Sequence, residues 1–441
     1  MLLLGGQSIR FVQGAAPIEN TLTSTSNAST APWTIETVDS TNDTGLHVSV
    51  AIDPDNGAVY ISYYDNTTKD LRAAKYVGSG GNCGVDNSWD CKTLDQSGDV
   101  GEYSSIAVNP QTVNVGIAYY DDSQGELQYA IGCFAPFCLW GYTTIDSGNP
   151  SGFLWDGLYT SLVYHSDGTP AIAYYTFRGL ADDSLKVAYY SGSGGNCGQG
   201  VAAGKWQCDT LASGDGVGRY PSLALDSAGN RHIAYYDGGN DSLMYAFSSG
   251  GSYTIREILP TQAGQYASLT VDANHGNTRH IAHYDDTNNT LEYATYVGSG
   301  GNCGFNSSST QFEWQCDEIE AMGSDPSSPR GLAIAVDDAG YPIIAYGASY
   351  NLKIARPVAA LGLLAGNCGP IPSLFYTWQC DTIAPSRLGS GQANYASIAV
   401  NSAGLATIAY YGDFTAASDD NGNLKVAYQR LNLFLPLISK P

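Results

Sequence analysis

The chain has 441 residues, with 19 Lys or Arg and 42 Asp or Glu, so its formal net charge is −23. This balance disfavours a nucleic-acid backbone or an anionic membrane surface as a partner, because both are bound through clustered Lys and Arg. It suits cations or neutral partners such as glycans. Gly (52) and Tyr (32) are abundant, which is typical of an all-β protein rich in turns and aromatic strands.

The N-terminal residues 1–32 are predicted to lie outside the folded domain. Residues 1–17, MLLLGGQSIRFVQGAAP, combine a short apolar run with small residues and carry no basic leader, so we interpret them as the remnant of a secretory signal. Residues 19–32 are a Ser/Thr/Asn-rich linker with little to bury. No apolar run reaches about 18 residues, so no transmembrane helix is predicted.

From residue 47 the chain repeats one unit of three short strands and two tight turns, as in 220–246, YPSLALDSAGNRHIAYYDGGNDSLMYA. Apolar and polar residues alternate along each strand with the period of two that predicts β-structure. Seven units are present. Their first strands are predicted to begin at His47, Tyr103, Tyr159, Tyr220, Tyr266, Gly331 and Tyr395. Second strands are predicted at 59–65, 115–121, 171–176, 232–237, 280–285, 342–347 and 407–412, and third strands at 71–76, 127–132, 185–190, 243–248, 291–296, 352–357 and 424–429.

A fourth strand with the pattern W-x-C follows the third in four units, at 89–94, 206–211, 314–319 and 378–383, with variants at 142–145 and 253–258. The last unit has no such strand, but 33–38, WTIETV, aligns with WQCDTL at 206–211. An N-terminal strand that completes the last blade is how many β-propellers close. The sequence therefore predicts an all-β, seven-bladed β-propeller of four-stranded antiparallel blades over residues 33–430. An open β-solenoid is the alternative, which the displaced strand disfavours.

The ten cysteines form five local couples: Cys83 with Cys91, Cys133 with Cys138, Cys197 with Cys208, Cys303 with Cys316, and Cys368 with Cys380. Four couples share the frame GNCG followed by W-x-C. An even count at a fixed place in the repeat predicts disulfides and an oxidising compartment. Zinc is disfavoured, because no C-x-x-C motif and no suitably spaced His is present.

The repeat pattern S-[LI]-A-[LV]-[DN]-x-x-G followed by I-A-Y-Y-D resembles sialidase-like and lectin-like propellers of secreted bacterial proteins. The resemblance covers Trp33 to about Arg430 and implies a propeller fold and a secreted or cell-surface location. It does not specify an activity. The apolar tail 431–441 contains FLPL, which resembles the endings of some secreted bacterial proteins; a strand on the outer rim is equally compatible with it.

Two residue types recur where a propeller presents the mouth of its channel. The first strands open with an aromatic residue at Tyr103, Tyr159, Tyr220, Tyr266 and Tyr395, with His47 in the same place. The second strands end in Asp65, Asp121, Asp237 and Asp285. An aromatic ring beside a carboxylate suits a sugar, whose CH groups stack on the ring while its hydroxyls donate to the carboxylate. The structural alternative is that Tyr packs between blades and Asp caps the next turn.

Signals for catalysis are few. The sialidase Asp-box is met only in part, at 166–168, and no nucleophile elbow or H-E-x-x-H motif is present. The repeat is also similar to propeller polysaccharide lyases, and this resemblance implies His283, Tyr266 and Arg219 as candidates for proton transfer and charge neutralisation. Acidic turns at 121–122, 285–286 and 419–423 offer oxygen ligands for calcium, but a solvated turn is the simpler interpretation and no cofactor is predicted.

We therefore predict a secreted or cell-surface binding module that recognises a glycan or an extracellular protein through its channel-mouth face. A polysaccharide lyase or glycosidase and a purely structural surface protein are the alternatives. A multivalent binder keeps the same residues in several blades, whereas an enzyme breaks the repeat at one place. Four units keep the Asp and five keep the Tyr, which favours binding. Unit six has Gly331 and Ala348 instead, and unit three has Thr176 and a longer loop at 177–183.

Overall fold

The computed structural model describes residues 32–148, 154–179, 182–322, 331–348, 351–363, 365–369, 376–385, 395–412 and 422–430. The predicted signal remnant and linker up to residue 31, the tail 431–441, and Asp419 and Asp420 of the candidate calcium turn lie outside these residues. Those assignments stay predictions.

The chain forms seven blades in a ring, each containing four antiparallel strands, which confirms the predicted fold. Blades one to three are β2 (Thr44–Ile52), β3 (Val59–Asp65), β4 (Asp70–Tyr76) and β5 (Trp89–Asp95); β6 (Val100–Val108), β7 (Val115–Asp121), β8 (Glu126–Gly132) and β9 (Gly141–Ser147); and β10 (Trp155–Tyr164), β11 (Pro170–Phe177), β12 (Ser184–Tyr190) and β13 (Trp206–Ser213). Blades four and five are β14 (Val217–Leu225), β15 (Arg231–Asp237), β16 (Ser242–Ser249) and β17 (Ser252–Leu259); and β18 (Gln265–Asp272), β19 (Thr278–Asp285), β20 (Thr290–Tyr296), the extra short β21 (Cys303–Asn306) and β22 (Gln311–Ala321). Blades six and seven are β23 (Leu332–Val336), β24 (Pro342–Ala348), β25 (Asn351–Pro357) and β26 (Trp378–Pro385); and β27 (Ala396–Val400), β28 (Ala406–Gly412) and β29 (Asn423–Gln429), completed by β1 (Trp33–Asp39).

The ring closes through the N-terminal strand, as predicted. β1 pairs antiparallel with β29, with Trp33 opposite Gln429 and Glu36 opposite Val426. Helical structure among the described residues is limited to the single turn α1 (Val358–Leu361) and two 3₁₀ turns at Val85–Asn87 and Gly200–Ala202.

The inner strands of blades one to five begin before the predicted aromatic residue and bend at it. β14, for example, starts at Val217, and its pairing with β15 shifts register on both sides of Arg219, just before Tyr220. Two residues before the aromatic stands a glycine that lies against the preceding blade. A Cβ on Gly218 would come within 2.4 Å of Leu185 N. The sequence did not predict this double bulge, because the alternation of apolar and polar residues in the strand begins only after the bulge.

A serine two residues after each aromatic joins the inner strands of neighbouring blades. Its Oγ accepts a hydrogen bond from a backbone N–H of the next blade at 2.9–3.1 Å, an interaction we call the serine clasp. The six clasps are Ser397 to Val50, Ser49 to Ile106, Ser105 to Leu162, Ser161 to Leu223, Ser222 to Leu269 and Ser268 to Ile334. At the joint between blades six and seven the serine is replaced by Ala333, which has no hydroxyl.

Farther out, the first Tyr of the Tyr-Tyr-Asp segment binds the preceding blade. Its hydroxyl donates to an acid at the end of that blade's outer strand at 2.6 Å, in the pairs Tyr63–Asp39, Tyr119–Asp95, Tyr174–Asp146 and Tyr346–Glu320. In three of these pairs a basic residue from the third strand, Arg72, Lys186 or Lys353, bonds to the same acid. These tyrosines are fully buried, so this part of the repeat serves packing between blades.

All five predicted disulfides are present, and no free cysteine remains. The loop that a disulfide closes lies against the outer strand of the preceding blade. In blade three, the N–H groups of Gly198 and Gln199 donate to Ile145 and Thr144 of β9 at 2.8 and 3.0 Å. Trp206 of the same W-x-C motif is buried and packs edge-on against Tyr129 of blade two, at 5.4 Å. The disulfide loops therefore shield strand edges that would otherwise be open to pairing.

The serine clasp predicts opposite effects for two substitutions. Ser222→Ala leaves the Leu269 N–H without its acceptor, so we expect the free energy of unfolding to fall by about 1–2 kcal/mol. Ala333→Ser supplies the hydroxyl that the joint between blades six and seven lacks, so we expect no loss and a gain of up to about 1 kcal/mol. Urea unfolding followed by tryptophan fluorescence measures both. Equal destabilisation by the two substitutions would contradict the clasp.

Candidate functional site

The mouth of the central channel is a cavity of about 450 Å³, built by the inner strands of all seven blades. Six aromatic side chains line it, one from each blade except blade six, and we call them the channel cluster: His47, Tyr103, Tyr159, Tyr220, Tyr266 and Tyr395. In blade six, Leu332 lines the cavity instead. The five Tyr side chains are partly exposed, and His47 is buried. The structure thus brings the five predicted tyrosines and His47 together around one opening.

Neighbouring rings of the channel cluster touch. The ring centroids of Tyr395 and His47, and of His47 and Tyr103, are 4.4 Å apart. The contacts from Tyr103 to Tyr159 and onward through Tyr220 to Tyr266 measure 4.5, 4.6 and 4.3 Å. Such tilted and edge-on contacts stabilise aromatic pairs beyond their burial. The result is an arc of aromatic surface that is interrupted only at blade six.

The backbone of the channel cluster is strained. His47, Tyr103, Tyr159, Tyr220 and Tyr266 all adopt left-handed conformations, with φ between 51° and 54°. This conformation costs a non-glycine residue about 1 kcal/mol or more. Hydrogen bonds to the neighbouring blade hold it in part: Ser104 donates to the His47 carbonyl at 2.9 Å, and Thr160 to the Tyr103 carbonyl at 2.6 Å. Because the same strained conformation recurs at five equivalent positions, it indicates that these side chains are required at these places.

The channel cluster is electrically neutral. Burial lowers the pKa of His47 to about 3, so its imidazole is uncharged at neutral pH. Burial, followed by the neighbouring tyrosines, raises the pKa of Tyr103 and Tyr220, so both hydroxyls stay protonated. The surface therefore offers ring faces and hydroxyl groups but no ion. This chemistry suits uncharged, hydroxyl-rich ligands.

The four predicted Asp residues lie elsewhere. Asp65, Asp121, Asp237 and Asp285 are only 1–7% exposed, and none of them lines the channel cavity. Their side chains accept hydrogen bonds from backbone N–H groups two or three residues ahead, at 2.8–3.2 Å. These are the partners of turn-capping groups. A ligand contact by these carboxylates stays a prediction, and we leave them out of the proposed site.

The three catalytic candidates do not share one cleft. Tyr266 lines the channel cavity, whereas Arg219 lines a second cavity beside it. His283 is fully buried in β19, with its Nε2 3.6 Å from a Glu292 carboxylate oxygen. It stands where other blades have the first Tyr of Tyr-Tyr-Asp, so it belongs to the packing between blades. Burial lowers its pKa to about 3, and a fully buried ring has no access to a substrate proton.

A second cavity, which the sequence did not predict, has a volume of about 320 Å³ and shares Tyr103 and Tyr159 with the channel mouth. Unlike residues from three blades line it, including Glu102, Trp155 and Arg219. The one sequence signal for this cavity was the divergence of blade three.

For metals, the described residues contain no group of three or more His, Cys, Asp or Glu side chains placed to hold an ion. Nor is any helix among them long and apolar enough to cross a bilayer.

No protein-family model matches the sequence, and no curated protein matches it. Solved structures that are similar in shape include the following three. The polysaccharide lyase Uly1 is 10% identical, over 87% of this chain and 90% of the lyase, with a TM-score of 0.47. The fucose-specific lectin from Aleuria aurantia is 12% identical, over 81% of this chain and 100% of the lectin, with a TM-score of 0.44. An α-L-arabinanase from Penicillium chrysogenum is 14% identical, over 72% of this chain and 93% of that enzyme, with a TM-score of 0.43. Identities of this size say nothing about a shared activity.

The burial of His283 predicts a pH-dependent stability. Because its pKa is lowered to about 3 in the folded protein, the unfolded chain takes up the proton first as the pH falls below about 6.5. This residue therefore lowers the free energy of unfolding by about 2 kcal/mol between pH 6.5 and pH 5. His283→Tyr, which restores the residue of the other blades, should remove that loss.

Urea unfolding of the wild type and of His283→Tyr at pH 7 and pH 5 measures the effect. The stability gap in favour of the variant should widen at pH 5. The exposed His275, exchanged for Gln, is the matched control. An unchanged gap, or a loss of unsaturated-sugar release in His283→Tyr, would contradict a purely structural His283.

Proposed function

We propose that this protein is an extracellular glycan-binding module and that the channel cluster is its binding surface. The observation that carries the proposal is the arc of six touching aromatic side chains around one opening. Packing alone requires only that each inner strand presents a residue that fits. Five blades instead hold a large amphipathic ring in a strained backbone conformation at the same place.

A glycan matches this surface chemically. Sugar rings present flat patches of CH groups that stack on aromatic faces, and their hydroxyls bond to Tyr hydroxyls and exposed backbone groups. The channel cluster carries no net charge, so a neutral sugar enters without leaving an ion unpaired. Several equivalent tyrosines around one opening also allow neighbouring sugars of one chain to bind together, which raises avidity.

The disulfides support an extracellular location. Bridges formed by all ten cysteines persist in oxidising compartments such as the cell exterior. Secretion or display at the cell surface would bring the channel mouth into contact with free or cell-bound glycans. The lyase and glycosidase alternatives have less support, because His283 is inaccessible and the channel cluster holds no charged acid or base.

A glycan array probed with the purified protein tests the proposal, and glycine substitutions identify the surface. Tyr159→Gly and Tyr220→Gly remove the ring and also relieve the left-handed backbone. We therefore expect the double variant to stay folded, with each site changing stability by no more than about 1–2 kcal/mol. Its avidity for the bound glycan should fall at least about tenfold.

Phe305→Ala is the matched control, because it removes an aromatic side chain that is 56% exposed on a disulfide loop. It should bind like the wild type. The proposal fails if no glycan on the array binds, or if the double glycine variant binds glycan as well as the control does.

A further inference from the structure

The cavity beside the channel cluster, which we call the side cavity, breaks the repeat. It is formed by blades two, three and four and shares Tyr103 and Tyr159 with the channel mouth. A ligand bound at the channel mouth would therefore adjoin it directly. The residues that set its chemistry are Glu102, Tyr120, Asp122, Trp155, Phe177 and Arg219.

In blades one and two, an Asp stands four residues before the aromatic residue of the channel cluster. Each receives the second Tyr hydroxyl of the preceding blade at 2.6 Å, in the pairs Tyr411–Asp43 and Tyr64–Asp99. The hydroxyl and the carboxylate thus satisfy each other across the joint between blades.

In blade three the same position holds Trp155, which has no acceptor to offer. The hydroxyl of Tyr120, the equivalent donor from blade two, is buried and has no partner at ideal hydrogen-bond geometry. Burial, followed by the nearby Asp122 carboxylate, raises its pKa, so Asp122 is the acceptor within its reach. Tyr120 is 1% exposed and lines the side cavity. Because Trp replaces the usual Asp, the Tyr120 hydroxyl and the Asp122 carboxylate both stay inside the cavity, where a ligand can reach them.

Trp155 also supplies an aromatic platform. Its ring stacks on Phe177 of the next strand, with centroids 4.8 Å apart and planes inclined by 22°. Both side chains are only partly buried. Flat aromatic surface at a cavity wall contacts either the CH face of a sugar or a cation.

The cavity has two ends of opposite charge. Glu102 and Asp122 stand at the blade-two end, and burial, followed by repulsion from Asp122 and Asp99, raises the pKa of Glu102 to about 7. Lys69 opposes that shift. At the blade-four end, the Arg219 guanidinium lies over the Tyr175 ring, 5.9 Å from its centroid. Glu102 and Asp122 thus lie close enough to repel each other, and a positive charge between them would relieve that repulsion.

We infer that the side cavity binds the protonated amino group of an amino sugar, an inference that rests on the proposed glycan-binding function. The ammonium group would donate hydrogen bonds to Glu102, to Asp122 and to the oxygen of the Tyr120 hydroxyl, whose own proton is donated to Asp122. The sugar ring would lie on Trp155. Its ring and hydroxyl oxygens would accept hydrogen bonds from Arg219, which a bare cation could not do.

The experiment compares two oligosaccharides that differ only in the amino group. Tetramers of β-1,4-linked glucosamine and of N-acetylglucosamine are titrated into the protein by calorimetry at pH 7 and low salt. We expect the amino tetramer to bind at least about tenfold more tightly, and the preference to weaken at high salt. Asp122→Asn should reduce that preference at least about threefold, and Trp155→Ala should weaken binding of the amino tetramer.

Asp286→Asn is the matched control. Asp286 occupies the position of Asp122 in blade five, where it accepts a hydrogen bond from Gln265 at 2.6 Å. This variant should keep the full preference. Glu102→Gln should weaken binding of the amino tetramer at pH 7, and this difference from the wild type should shrink at pH 5, where Glu102 is itself protonated. The two proteins are compared at each pH because the sugar amine also gains protons as the pH falls.

The outcomes separate this inference from the proposed function. If the two tetramers bind equally well, and the Tyr159→Gly and Tyr220→Gly double variant loses this binding, the amino-sugar site is overturned but the proposed glycan binding is supported. The amino-sugar site would also be overturned if Asp122→Asn kept the preference for the amino tetramer as fully as Asp286→Asn does. Failure of every glycan to bind would overturn both.

Discussion

Six hydrogen bonds from backbone amides to serine hydroxyls hold the inner strands of neighbouring blades in register. Each serine stands two residues after an aromatic side chain of the channel mouth, so the clasp that joins the blades also sets the spacing of the rings. This explains the nearly constant separations of 4.3–4.6 Å. Blade six lacks both the serine and the aromatic residue, which Ala333 and Gly331 replace. In blade six, the joint between blades and the proposed ligand surface are therefore altered together.

The architecture was predictable from sequence because it is encoded locally and repeated. Alternating strands, Gly-containing turns and the W-x-C motif recur in nearly every unit, and the match of 33–38 with 206–211 revealed the closing strand. The inner-strand bulge was not predictable in the same way. Its cause is the close approach of Gly218 and its equivalents to the preceding blade, a contact between units that no pattern within a unit contains.

The candidate sites also differ in whether repeated residues or contacts between blades form them. The tyrosines of the channel mouth were found because a repeated residue on a repeated strand converges on the axis. Asp65 and its equivalents were also repeated, yet their side chains bond to their own turns. A repeated residue therefore marks an equivalent position in each blade, but its repetition does not show whether its role is structural or functional. The side cavity escaped the sequence analysis for the opposite reason: Glu102, Trp155 and Arg219 are unlike residues from three blades, and only folding brings them together.

Closure by β1 has a consequence for the order in which the protein is made. Trp33 leaves the ribosome about 400 residues before its partner Gln429. At a synthesis rate of roughly 5–20 residues per second, the strand waits on the order of 20–80 s without a partner. A strongly apolar segment would risk pairing with other chains during that time. The strand WTIETVD contains two threonines and two acids among its seven residues. This composition suits a segment that must remain soluble until the last blade has been synthesised.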